Sequence, residues 1–142
     1  MTDSEILTVV RKLEQCELTP SEFHHRDHLA VCVFYLYGGD LETAMDRMRS
    51  SLLRFTAHHN VKGYHETITR FWMRLVEQRL DRQVCLGEAV RQIQQELGDK
   101  EIIHSYYSKE RLHSPEAKQS WIEPDQNAGC TDEGPRFSPW SR

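Results

Sequence analysis

The chain has no C-x-x-C pair, no apolar run near the ~20 residues a membrane span needs, no surplus of basic charge and no alternation of polar and apolar residues. Each absence removes a class of protein. Cys16, Cys32, Cys85 and Cys130 are widely separated, which argues against a zinc knuckle and against a secreted disulfide framework, so they read as reduced thiols. With 28% charged residues, both signs interspersed and a net charge of −4, nothing invites a nucleic acid or an anionic membrane as partner. The opening M-T-D-S-E-I-L is acidic and lacks the basic-then-apolar order of a targeting peptide, so a cytoplasmic location is expected. No internal repeat is present.

What the sequence does contain is helical periodicity. A length of 142 residues fits one domain that buries roughly two thirds of its unfolded surface. Thr2 and Glu5 have capping-box spacing ahead of Ile6, Val9, Val10 and Leu13, which predicts a helix from about Asp3 to Cys16. Thr19-Pro20-Ser21-Glu22 is a second start signal, and the apolar segment after it runs through Tyr37 to a stop at Gly38-Gly39. Asp40 caps a third helix with a Met45, Met48, Leu52, Phe55 stripe ending near Asn60. The clearest period follows Gly63, in Ile68, Phe71, Trp72, Leu75, Val76 and Leu80.

Shorter helices are expected at about Leu86 to Leu97, from Asp99 to Tyr106-Tyr107, and from Ser114 to Trp121. The expected fold is therefore all-α, a single-domain bundle of about five to six helices over residues 1–123. Residues 124–142, poor in apolar periodicity, read as a flexible tail.

Six of the eight histidines fall between residues 24 and 65. On a helix, His25 and His28 share a face with Leu29, Cys32 and Leu36, and His65 shares one with Ile68, Trp72 and Leu75, so all three imidazoles should point inward. A buried ring without a partner costs on the order of 1–3 kcal/mol. A divalent metal, whether zinc, iron or manganese, would satisfy three such nitrogens and leave positions open for water or a small-molecule substrate. Glu66, ~100° round the helix from His65, is then a fourth ligand or a general base, and Tyr64 and Thr67 are candidates to orient substrate or water.

His59 continues the stripe through Phe55 and stands between ligand and packing residue. His24, His58, His104 and His113 read as surface or capping residues, Asp27 as lying off the site, and Cys32 as a buried apolar residue. Two other readings stay open. One is a non-catalytic binding or sensor bundle with a core histidine network, and the other is a metal-free acid-base site built on Tyr64, His65 and Glu66.

The stretches F-H-H-R-D-H-L, L-L-R-F, G-Y-H-E-T-I-T-R-F-W and Y-Y-S-K-E-R-L-H-S-P-E-A-K-Q-S-W-I-E-P-D resemble a group of small, uncharacterised bacterial proteins over about Phe23 to Asp125. The shared pattern looks like F-x-H-x-x-H-L with Y-H-E-T, which selects His25, His28, Tyr64, His65, Glu66 and Thr67 and leaves His24 variable. The resemblance implies a common pocket rather than an activity. It also implies that Tyr106 to Ser108, with Glu123 to Asp125, closes over the bundle.

Overall fold

The computed structural model describes residues 1–61 and 63–126, and within them every regular element is helical. Five longer helices, α1 (Asp3–Glu14), α2 (His25–Tyr37), α3 (Leu41–His58), α4 (Glu66–Arg79) and α5 (Leu86–Glu96), are followed by a 3₁₀ helix (Lys100–Ser105) and two short helices, α6 (Lys109–Leu112) and α7 (Pro115–Gln119). Cys130 and most of the expected tail lie outside the described residues.

The bundle is built around α2. From Leu29 to Val33 every residue of this helix is fully buried, and it packs against α1, α3, α4 and α5. A helix that is apolar all round has no solvent face to keep, so the other elements wrap it. Their apolar stripes supply Ile6, Val10 and Leu13 from α1, Met45 and Met48 from α3, Phe71 and Trp72 from α4, and Ile93 from α5. A polar knot in this layer centres on Tyr35. Its hydroxyl donates to the Glu14 carboxylate at 2.6 Å and lies 2.8 Å from the Ser51 hydroxyl, tying α1, α2 and α3 together. Beside it, at the C-terminal end of α2, Arg82 donates to the carbonyls of Leu36 and Gly39.

Three boundaries differ from the sequence expectation, each for a local reason. The capping box at Thr2 and Glu5 forms as expected, but α1 stops two residues early and Cys16 turns the chain at φ 59°. Proline at the second start signal opens only one 3₁₀ turn, Pro20–Glu22; Phe23 is extended, and α2 begins afresh at His25 with the Asp27 carboxylate accepting from the His24 N–H at 3.1 Å. That extra residue out of helix lets Phe23 lay its ring against Phe55, centroids 5.8 Å apart. The helix expected from Asp99 is 3₁₀, and α6, unanticipated, starts at Ser108, whose hydroxyl accepts from the Arg111 N–H.

The chain keeps specific contacts beyond residue 123, where a tail was expected. Ser108 donates to the Asp125 carboxylate through both its N–H (2.8 Å) and its hydroxyl (2.6 Å), Tyr107 donates to the Ile122 carbonyl at 2.6 Å, and the Gln126 N–H reaches the Tyr106 carbonyl. Residues 120–126 thus form a strap held against α4, α6 and the preceding 3₁₀ helix.

Gly98 follows the end of α5, and a Cβ built there would sit 2.5 Å from the Gln94 carbonyl oxygen. Gly38 has nothing within 4 Å. Gly98→Ala is therefore expected to cost about 1–3 kcal/mol in urea unfolding because the contact is with backbone, while Gly38→Ala stays within about 0.5 kcal/mol.

Candidate functional site

The segment Y-H-E-T begins α4, and its geometry follows from the position of the helix start. His65 is the N-cap rather than a residue inside the helix. Its backbone is extended (φ −137°, ψ 108°), and its Nδ1 accepts from the Ile68 N–H at 3.1 Å. An accepting Nδ1 places the ring proton on Nε2, which donates to the Leu112 carbonyl of α6 at 2.6 Å. Both nitrogens are occupied by protein partners. Burial lowers the pKa of the ring, against the pull of the Leu112 carbonyl.

Glu66, at the first helical position, is buried. Arg49 on α3 grips its carboxylate with two parallel bonds of 3.0 and 2.7 Å, the Tyr64 hydroxyl donates to it at 2.5 Å, and Arg70 one turn on lies 3.7 Å away. Burial alone would raise the pKa of this carboxyl. The Arg49 fork, the Tyr64 hydroxyl and Arg70 outweigh it and hold the group below its ordinary value. The same surroundings push Tyr64 up, through burial and the adjacent carboxylate, and so keep it protonated. Thr67 is fully buried and clamps the strap. Its hydroxyl donates to the Ser120 carbonyl at 2.8 Å and lies 3.3 Å from the Ile122 N–H.

The first histidine cluster opens onto a cleft of about 310 Å³ between α2, α3 and the start of α4. Phe23, Leu52, Phe55 and Ile68 give it apolar walls; His24, His25, His28, Tyr64, His65 and the hydroxyls of Thr56 and Thr69 also line it. No lysine, arginine, aspartate or glutamate is among the described lining residues. His25 has its Nε2 2.9 Å from the Leu97 carbonyl, to which it donates, and sets its ring edge-on to Trp72 at 4.5 Å. His28 differs. Its Nε2 is buried and has no hydrogen-bond partner, and burial, with His25 adding to it, pushes its pKa down from the usual 6.5 to about 4.

The structure thus brings together only part of the residue set that spacing suggested. His25, His28 and His65 do line one cleft. Glu66 faces Arg49 and Arg70 instead, Thr67 serves the strap, and His59, the C-cap of α3, lies beyond Phe55 with its ring 4.7 Å from it. Like His28, His59 has a buried Nε2 without a partner. Among the described residues no group of three or more His, Cys, Asp or Glu side chains is placed to hold a metal ion. Seating one on His65 would break the cap of α4 or the link to α6.

The remaining assignments are simpler. His24 is exposed and pairs with Asp27 at 3.3 Å, His104 stands 3.7 Å from Glu101, and His58 and His113 are exposed. Cys32 is wholly buried, which pushes its thiol pKa up. Sequence reasoning overlooked Arg49 and Arg70. Arg70 was within reach, at four residues from Glu66 on one helix face, whereas nothing local links Arg49 to Glu66. No protein-family model, curated protein or solved structure matches the chain.

Three outcomes follow from these groups. Glu66→Gln leaves a guanidinium fork without its counter-charge and is expected to cost about 1–3 kcal/mol in urea unfolding. Asp46→Asn, removing Arg49's solvent-exposed partner, should cost less than about 1 kcal/mol. For His28 the folded chain refuses a proton that the unfolded chain accepts, so stability falls as pH drops from about 6.5 to about 4. The full penalty is about 3 kcal/mol. Unfolding midpoints measured across that range should show this slope in the native chain and a shallower one in His28→Leu; equal slopes would contradict it.

Proposed function

We propose that the chain binds a small, neutral, largely apolar molecule in the cleft beside His28, which supplies a hydrogen bond to the ligand's polar group. The carrying observation is that His28, whose buried Nε2 has no partner, is one of the walls of a cleft lined by Phe23, Leu52, Phe55 and Ile68. About 310 Å³ is at the lower end of small-molecule sites, which are typically apolar with few orienting polar groups. With no charged side chain along the described walls, a ligand carrying a formal charge would lose its hydration without gaining a counter-ion. A neutral ligand avoids that loss. A neutral imidazole either accepts a bond from a hydroxyl or donates one to a carbonyl, depending on its tautomer.

This favours a binding bundle over the metal-dependent enzyme expected from histidine spacing, because His65 keeps both ring nitrogens on protein partners and Glu66 keeps its carboxylate on two arginines. The probe set is phenol, benzyl alcohol and indole, followed by ¹⁵N NMR of the full chain. Saturable shifts are expected around residues 23–28, 52–56 and 63–69. His28→Phe keeps a ring in place but removes the nitrogen, and should weaken binding about tenfold, the value of one buried hydrogen bond. Unchanged affinity in that variant, or no saturable shift with any probe, would sink the reading. So would a stoichiometric metal in protein purified without a histidine tag, which would restore the metal-dependent enzyme.

A further inference from the structure

Tyr64 lies on the wall of a second cleft, of about 580 Å³, whose character is the opposite of the first. Arg49, Arg70, Arg74 and Lys118 converge on it, and Glu66 is the one carboxylate among its described lining residues. Such a concentration of positive charge in a chain of net charge −4 needs an account. Glu66 offsets one unit of it and is held in place by Arg49 and Tyr64. Two further carboxylates, on Arg49 and on Arg70, are loose. Asp46 on Arg49 and Glu42 on Arg70 are 76% and 74% exposed, and pairs in water hold so weakly that an incoming anion displaces them readily. Lys118 has no ion pair among the described residues.

The cleft also has an apolar edge. Leu53, 45% exposed, lines it together with Tyr64 and Trp121. An isolated leucine on a surface is ordinary, but this one borders the cationic floor.

We propose that this second cleft binds a small organic oxyanion, a carboxylate or phosphate monoester carried on an apolar body. Arg70 and Lys118 meet the oxyanion and Leu53 meets the body, while Glu66, held in the Arg49 fork, lies 3.7 Å from the Arg70 Nε and leaves the outer guanidinium nitrogens of Arg70 to the ligand. Guanidinium and ammonium groups recognise both oxyanions through charge-assisted hydrogen bonds, Arg bidentately.

The test is calorimetric and ¹⁵N NMR titration of the full chain with phenyl phosphate, benzoate, inorganic phosphate and benzyl alcohol. Phenyl phosphate or benzoate should bind saturably and move the Trp121 indole signal, assigned with Trp121→Phe, and the tighter of the two names the oxyanion. Inorganic phosphate, lacking the body, should bind about tenfold more weakly, and salt at about 1 M, where charges are screened within ~3 Å, should weaken all three anions. Benzyl alcohol should leave the Trp121 signal unmoved.

Lys118→Gln, an exposed substitution that does not threaten the fold, and Arg70→Gln should each reduce affinity about tenfold. Leu53→Ser should weaken phenyl phosphate without affecting inorganic phosphate, and His28→Phe should leave the anions' binding intact. The assignment is overturned if neither organic anion binds saturably, if Lys118→Gln binds as the native chain does, or if inorganic phosphate binds as tightly as its aryl ester. Loss of anion binding in His28→Phe would equally overturn it, by placing both ligands in one site.

Discussion

Everything around the two clefts depends on the imidazole of His65. By accepting from the Ile68 N–H it decides where α4 begins, and by donating to Leu112 it fixes α6 against that beginning. Once the helix starts at Glu66, its neighbours are aimed in different directions. Tyr64 precedes the helix and reaches back to Glu66, Glu66 turns to Arg49 on α3, and Thr67 turns to the strap at Ser120 and Ile122. Four consecutive residues therefore join four parts of the molecule. A serine or aspartate cap would satisfy the same N–H, but neither has a second ring nitrogen to extend to α6.

The same junction separates two environments. Glu66 draws Arg49 and Arg70 to one side, where the buried carboxylate and the fork satisfy each other, and no charged side chain is among the described lining residues of the His28 cleft. Tyr64 stands on both walls with its hydroxyl on the carboxylate, so its ring is shared while its polar end is committed. A low-polarity cavity beside a guanidinium cluster is stable only if each buried charge is compensated on its own side, since an unpaired one costs several kcal/mol. The Glu66–Arg49 pair meets that condition.

How much of this was legible in the sequence depends on whether the determining interaction was local. The helices were readable because periodicity and caps are local; Thr2 with Glu5 and Asp40 with Thr43 formed as their spacing suggested. That His25 and His28 border a cleft agrees with the apolar face of α2 they extend, whereas His65 lines the same cleft from the N-cap of α4 and not from a helix face. The role of His65 was not legible. A histidine ahead of a strongly periodic run reads as part of the helix, and only a carbonyl 47 residues away shows that it is a bridge. Glu66 was misread for the same reason, its principal partner lying 17 residues back on α3. The strap beyond residue 123 has little apolar periodicity to announce it. It is held by hydroxyl and carboxylate bonds that leave no period in a sequence.

His28 and His59 carry the argument furthest. Their rings lie at either end of the Phe23–Phe55 pair, His28 5.8 Å from Phe23 and His59 4.7 Å from Phe55, and each has a buried Nε2 with no partner. An aromatic or aliphatic residue would pack in either place without the ~1–3 kcal/mol that an unsatisfied polar atom costs. His25 and His65, from the same two clusters, have protein partners and need no other explanation. Packing therefore accounts for the paired histidines and leaves the unpaired ones unexplained. Of the two, His28 borders the apolar cleft, and this is why the proposed ligand is placed beside it rather than beside His59.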